Sequence, residues 1–245
     1  MPVYRLPEAL VFPPPHKAIK EGLLAVGGDL CLERLLLAYS LGIFPWYSEE
    51  DPILWWSPDP RLVLYPNRFH ASRSLKKQLR SGTFEVTADT AFEAVMKGCA
   101  DHRGKGHEGT WIVPDVIDAY CELHDAGFAH SVETWKEGRL VGGLYGVSLG
   151  GVFFGESMFK RVSNASKIAL ATAVEHLQAT GFDLIDCQVT TTHLIQMGAQ
   201  EIPRPLFLRQ LRQSIKRPTM RGKWQFERGR IRVAVETDAL AADAR

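Results

Sequence analysis

Residues 140–155 constrain this chain more than any other part of it. The stretch carries no charge, and six of its residues are glycine. It stops short of the roughly 20 apolar residues that a membrane-crossing helix needs. A β-hairpin fits it better: a strand over 139–147, a turn at 148–151 and a return over 152–154. A further strand, 128–135, joins from upstream through Lys136-Glu137-Gly138. Downstream, 164–179 is an alanine-rich helix closed by Gly181, and 184–189 is a buried strand. Three antiparallel strands, a helix and one more strand form the core order of the acetyltransferase-like (GNAT-like) α+β fold. Such a likeness of architecture does not give function.

The rest of the chain fits around that core. The pattern predicts a strand at 62–65, a basic helix at 72–80 and a strand at 84–87. Thr90 and Glu93 have capping-box spacing for a helix running to Ala100. Pro114 opens a helix that ends near Gly127, and 205–215 is a last amphipathic helix before a basic tail. The first 60 or so residues read as turns with one helix, 32–41, which Asp29 caps and Gly42 stops. The expected organisation is a small N-terminal domain over 1–61 and a larger acetyltransferase-like domain over 62–245 with a mixed, mainly antiparallel sheet.

With a net charge of +1, total charge does not announce a nucleic-acid partner, so one must be held by a local basic patch. Arg68, His70, Arg73, Lys76, Lys77 and Arg80 supply such a patch, uninterrupted by any acid. Lys216, Arg217, Arg221 and Lys223 supply a second. The four cysteines lie far apart, and the first ten residues do not read as a signal peptide, which points to a reduced, cytosolic protein. His102 and His107 lack ligand-like spacing, so no metal is expected. The stretch 98–105 has the wrong spacing for a phosphate loop.

Three groups of residues stand out chemically. Gly155-Glu156-Ser157-Met158-Phe159 follows the hairpin and precedes a helix, but Phe159 replaces the second glycine of a nucleophile elbow. Glu156 ends an apolar run, either leaving the sheet for water or serving a site. In Asp186-Cys187-Gln188, alternation puts Asp186 and Gln188 on one strand face. There they form either a structural hydrogen-bond network or a site. Trp55 and Trp56 read as core anchors, whereas Trp46 and Trp111 have the setting to stack a nucleobase.

At this point the sequence resembles the leucyl/phenylalanyl-tRNA–protein transferases, over nearly its whole length. The resemblance rests on GLLAVGGDL at 22–30, GIFPW at 42–46, PILWWSPDPR at 52–61, EGTWI at 108–112 and VGGLYGV at 141–147. It also rests on GESMF at 155–159, NASK at 164–167, and LIDCQ at 184–188 followed by His193-Leu194 and Gly198-Ala199. It implies transfer of Leu or Phe, with Met as a further donor, from Leu-tRNA or Phe-tRNA. The acceptor is the α-amine of a protein beginning with Arg or Lys, which is thereby marked for the N-degron pathway. It implies a cytoplasmic enzyme with no cofactor and no membrane partner.

The same resemblance assigns roles. Asp186 orients the incoming amine and Gln188 assists through its side-chain carbonyl. Glu156 binds the acceptor's cationic group, and Trp46 and Trp111 flank the terminal adenosine. Leu144, Phe153 and Ile185 form the donor side-chain pocket, and Arg73, Lys76, Lys77 and Arg80 contact tRNA phosphates. Ala173 and Thr190-Thr191-Thr192 depart from the family pattern, which bears on donor and acceptor preference. Two other readings fit less well. An acyl-CoA enzyme needs a pyrophosphate loop where 161–166 reads Arg-Val-Ser-Asn-Ala-Ser. A plain tRNA-binding module has no use for Glu156, Asp186 and Gln188 together.

Overall fold

The computed structural model describes residues 3–103, 110–227 and 230–233. Glu108 and Gly109 of the EGTWI segment, Lys105 and His107 lie outside the described residues, as does the side chain of His102. The N-terminal residues do more than turn. They build a four-stranded sheet from β1 (Tyr4–Arg5), β2 (Leu23–Val26), β3 (Phe44–Pro45) and β4 (Leu54–Trp56), in the order β1-β2-β4-β3. Strands this short carry too few residues to show alternation in a sequence. The helix α1 (Leu32–Ser40) begins at the expected residue, but its N-cap is Cys31, not the expected Asp29. Asp29 accepts the Cys31 N–H and pairs at 3.0 Å with Arg34, which the fold buries.

A seven-stranded sheet follows, in the order β11-β5-β10-β9-β8-β7-β6. Its strands are β5 (Arg61–Leu64), β6 (Glu85–Ala88), β7 (Ala129–Lys136), β8 (Arg139–Leu149), β9 (Val152–Lys160), β10 (Leu184–Gln188) and β11 (Gln200–Ile202). Every pairing is antiparallel except β9 with β10. This is the expected mixed, mainly antiparallel sheet of an acetyltransferase-like α+β fold.

Helices cover both faces. On one face α3 (Phe92–Arg103) and α4 (Pro114–Asp125) share a core with α1, the N-terminal sheet and α7 (Arg204–Ser214). On the other, α5 (Ala165–Ala179) packs on β7, β8 and β9, flanked by α2 (Arg73–Arg80). The contact between α5 and β8 is close enough to require glycine. A Cβ on Gly142 would stand 2.5 Å from that of Ala165.

Three expected details differ. Thr90 and Glu93 do not make a capping box. The buried carboxylate of Glu133 accepts from Thr87 Oγ1, Thr90 Oγ1, Ser131 Oγ and the Ala91 N–H, while Glu93 pairs with Lys97. A buried charge holds several donors more firmly than a surface cap does. The strand β9 runs on to Lys160, so Ser157 lies mid-strand and no nucleophile elbow exists. The tail after α7 forms a hairpin of β12 (Trp224–Glu227) and β13 (Arg230–Val233), and Trp224 is buried. Among the described residues no helix is long and apolar enough to cross a membrane.

Candidate active site

The site begins where two parallel strands part. β10 pairs with β9 only from Leu184 to Asp186, against Val152 to Phe154. β9 then continues alone along β8, and the sheet opens between the two. Just past the parting, the β8–β9 register slips: Gly146 faces Gly155 and Tyr145 faces Ser157, so Glu156 is the extra residue of a bulge. Bulges re-aim side chains. This one turns the carboxylate of Glu156 into the sheet's core, only 6% exposed. Gly146 makes the slip possible, because a Cβ there would lie 2.2 Å from the Phe154 carbonyl oxygen.

β10 ends in a matching irregularity. Its register against β5 shifts between Asp186 and Gln188, and Gln188 adopts φ +60°. Left-handed backbone in a non-glycine residue persists only where its surroundings fix it. Here the Gln188 N–H donates to Asp186 Oδ1 at 2.9 Å, and Nε2 donates to Glu156 Oε1 at 2.7 Å. The side-chain carbonyl of Gln188 accepts nothing among the described residues. Through this irregularity Gln188 reaches both Asp186 and Glu156.

Asp186 is 0% exposed and already committed. Arg61 Nε donates to Oδ1 at 2.8 Å and Nη2 to Oδ2 at 2.6 Å. The guanidinium lies between the rings of Phe44 and Phe207, 4.9 and 4.6 Å from their centroids. Arg61 thus ties the N-terminal sheet, the junction strand β5 and α7 to one carboxylate.

Glu156 has two further neighbours. Tyr120 donates to Oε2 at 3.4 Å, and the hydroxyls of Tyr120 and Tyr39 bond to each other. Burial raises the Glu156 carboxyl from its usual 4.5 to about 7. The charge of Asp186 adds to this, while the hydrogen bonds from Tyr39, Gln188 and Tyr120 oppose it. Burial also holds both tyrosines well above their usual range. The result is a carboxyl that gains or loses its proton near neutrality, walled by groups that stay neutral. Burial holds the Cys187 thiol protonated, so it offers no nucleophile.

The sequence did not single out Tyr39, Tyr120 or Arg61. Both tyrosines sit on the apolar stripes of α1 and α4, where an aromatic reads as core. Only the fold brings their hydroxyls to a carboxylate. Arg61 had one usable signal: it is a cation between Pro60 and the apolar Leu62-Val63-Leu64.

The other expected residues fall in separate places. Leu144, Phe153 and Ile185 are buried in one apolar cluster with Leu170 and Ala173, on the α5 face, and Met158 packs against it. Trp46 is 40% exposed, with its ring 5.7 Å from that of Trp56 and its carbonyl accepting the Trp56 Nε1–H. Trp111 is 9% exposed and packs in the core on the opposite face of the sheet from α5. Arg73, Lys76, Lys77 and Arg80 are all exposed on α2, whose N-cap Ser72 accepts the Leu75 N–H.

Comparison with known proteins gives the family. The family model described as leucyl/phenylalanyl-tRNA protein transferase matches residues 63–212, and that of its N-terminal domain matches 28–59. A leucyl/phenylalanyl-tRNA–protein transferase of Desulfatibacillum aliphaticivorans is 62% identical over 227 residues, covering 93% of this chain and 97% of that one. Its namesake in Anaeromyxobacter sp. (strain Fw109-5) is 58% identical over 229 residues, covering 94% and 97%. That of Myxococcus xanthus (strain DK1622) is 57% identical over 228 residues, covering 91% and 97%. The chain belongs to the leucyl/phenylalanyl-tRNA–protein transferase family and is an aminoacyltransferase.

Proposed function

We propose that this enzyme transfers Leu or Phe, with Met as a further donor, from tRNA to the α-amine of proteins that begin with Arg or Lys. The reaction takes place in the cytoplasm, and the residue added marks the acceptor for the N-degron pathway. The observation that carries this reading is the buried Glu156–Gln188 pair at the parting of β9 and β10. A cationic acceptor meets a carboxylate there, and its amine meets the unengaged carbonyl of Gln188.

The chemistry asks little of the protein. The neutral α-amine attacks the ester carbonyl of the aminoacyl-tRNA, a C–N bond forms, and the C–O bond to the terminal ribose breaks. The proton lost by the amine ends on the leaving hydroxyl. A free α-amine has a pKa of about 7.7–8.0, so a useful fraction is already neutral. Positioning can supply most of the acceleration. Gln188 accepts an N–H of the attacking amine. Asp186 holds Gln188 in its left-handed conformation and is itself held by Arg61, which makes it a positioning residue in our reading.

Glu156, ionised, pairs with the acceptor's positive charge. The cluster of Leu144, Phe153 and Ile185 takes the donor side chain. Trp46 offers its exposed face to the terminal adenine and Trp111 its remaining edge. Residues 1–61 act as the unit that presents Trp46, and residues 62–245 as the catalytic unit. The cations of α2 hold tRNA phosphates without reading sequence.

A transfer assay tests this. It uses purified protein, labelled Leu-tRNA and Phe-tRNA, and peptides beginning with Arg, Lys, Asp or Ala. Label is expected on the Arg and Lys peptides without ATP or acyl-CoA. Label on the Asp peptide alone, or on none, would overturn the acceptor assignment.

A further inference from the structure

We propose that the cavity at the start of α5 is a phosphodiester subsite, which holds a backbone phosphate near the 3′ end of the donor. This deepens the reading above and rests on it for the identity of the donor. The cavity has a volume of about 360 Å³. Lys160 at the end of β9, Lys167 in the first turn of α5 and His193 of α6 (Thr192–Gln196) line it, and among the described residues no carboxylate does. Neither lysine has an acidic partner among the described residues. Burial, then the charges of Lys167 and Lys160, hold His193 below the usual imidazole range.

The backbone points the same way. α5 spans 15 residues, and its N-cap, Asn164, is left-handed and makes no capping bond. The Asn164 side chain donates instead to Gln78 of α2 at 2.8 Å. The N–H groups of Ser166 and Lys167 have no acceptor among the described residues, which leaves the positive end of the helix open. Ser166 supplies an independent sign. It lines the cavity, is only 7% exposed, and its hydroxyl has no hydrogen-bond partner among the described residues. Its oxygen is not sealed in the core with the buried polar atoms that lack a partner, so it opens into the cavity and is free to bond a group there. Two amides, one hydroxyl and two ammonium groups around a small cavity match the oxygens of a phosphate.

Position selects the phosphate. Lys160 lies four residues along β9 from Glu156, a rise of about 13 Å. That is a terminal nucleotide's distance from the reaction, not that of the tRNA body. Met158 lines the cavity and also packs against the cluster expected to take the donor side chain, so the two sites adjoin. The Asn164–Gln78 bond ties the rim of the cavity to α2, the helix that carries Arg73, Lys76, Lys77 and Arg80.

The test compares the trinucleotide cytidine-cytidine-adenosine with adenosine, which lacks phosphate. Binding is measured by calorimetry on the full-length protein, its Lys160→Gln/Lys167→Gln variant and its Ser166→Ala variant. The wild type is expected to prefer the trinucleotide at least tenfold. The double variant should bring that ratio within threefold of one, and Ser166→Ala should lower it in part. The salt slope of trinucleotide binding should fall by about 0.7 in the double variant, the share of one phosphate. With phenylalanyl esters of the same two molecules, the kcat/KM ratio should collapse in parallel.

An unchanged ratio in the double variant overturns the subsite. Equal displacement by inorganic phosphate at the same concentration overturns its assignment to the donor. If the binding preference is lost in the variants while the wild type transfers nothing from any donor, the function reading fails and the phosphate site stands. If transfer proceeds with its donor preference unaltered, the subsite alone fails.

Discussion

Glu156 is held in a place that costs the fold something. Its carboxyl titrates at about 7 when folded and near 4.5 when exposed. Between those values the folded protein keeps a proton that the unfolded chain has lost, so stability falls as pH rises through the window. The gap corresponds to about 3 kcal/mol, absent below pH 4.5 and fully felt above 7. Glu156→Gln should therefore raise the unfolding midpoint in denaturant at pH 8 and leave it nearly unchanged at pH 4.5. The same variant should raise KM for an Arg-initiated peptide. A midpoint that does not move between the two pH values would remove Glu156 as the strained group. Asp186 and Gln188 separate in another way. Asp186→Ala leaves Arg61 buried and unpaired, at a cost of about 3–5 kcal/mol. Gln188→Ala breaks no ion pair. It should lower kcat about 100-fold with a melting temperature close to that of wild type. If both variants lose stability equally, Gln188 is structural and its assigned role falls.

At the scale of elements, the helices and the central hairpin could be read because their signals are local. Pro114 opens α4 where expected, and the glycines of 140–155 lie in a hairpin. What stayed hidden depends on distant partners. Glu156 looked like the end of a strand because a carboxylate rarely continues an apolar run. β9 carries on because the bulge hands that carboxylate to Gln188 and Tyr120. The turn that leads into α3 is held by Glu133, more than 40 residues away in sequence. The basic character of α2 is legible, and its exposure allows a direct measurement. Replacing Lys76 and Lys77 with Gln should weaken Leu-tRNA and Phe-tRNA binding by the same factor. The slope of log affinity against log salt should fall by about 0.9 for each phosphate that the variant no longer neutralises. Unequal weakening for the two tRNAs would mean that α2 reads more than phosphate.

Across the whole molecule, the site draws on parts of the chain that are distant in sequence. Tyr39 comes from α1, Arg61 from the junction, Tyr120 from α4, Glu156 from β9 and Phe207 from α7, so the N-terminal sheet and the large sheet share one core. The C-terminal hairpin closes the other face in the same manner. Trp224 stacks on His130 with ring centroids 4.2 Å apart, lies 5.5 Å from Phe153, and donates its backbone N–H to Asp89 at 2.6 Å. Asp89 also accepts from the Ser131 N–H and bonds His130 Nδ1, so one buried carboxylate anchors both the hairpin and β7. Trp224→Ala would empty the volume behind Phe153 and cost about 3–5 kcal/mol. Phe153 belongs to the cluster we assign to the donor side chain, so the effect should extend beyond stability. With Phe153 free to retreat, the ratio of kcat/KM for Phe-tRNA over Leu-tRNA should rise, because the larger side chain gains room. Hydrophobic discrimination of this kind is worth about 1–3 kcal/mol per methylene, enough for a change of several-fold or more. A lower melting temperature with an unchanged donor ratio would show that Trp224 supports the fold alone and that the donor side chain binds elsewhere.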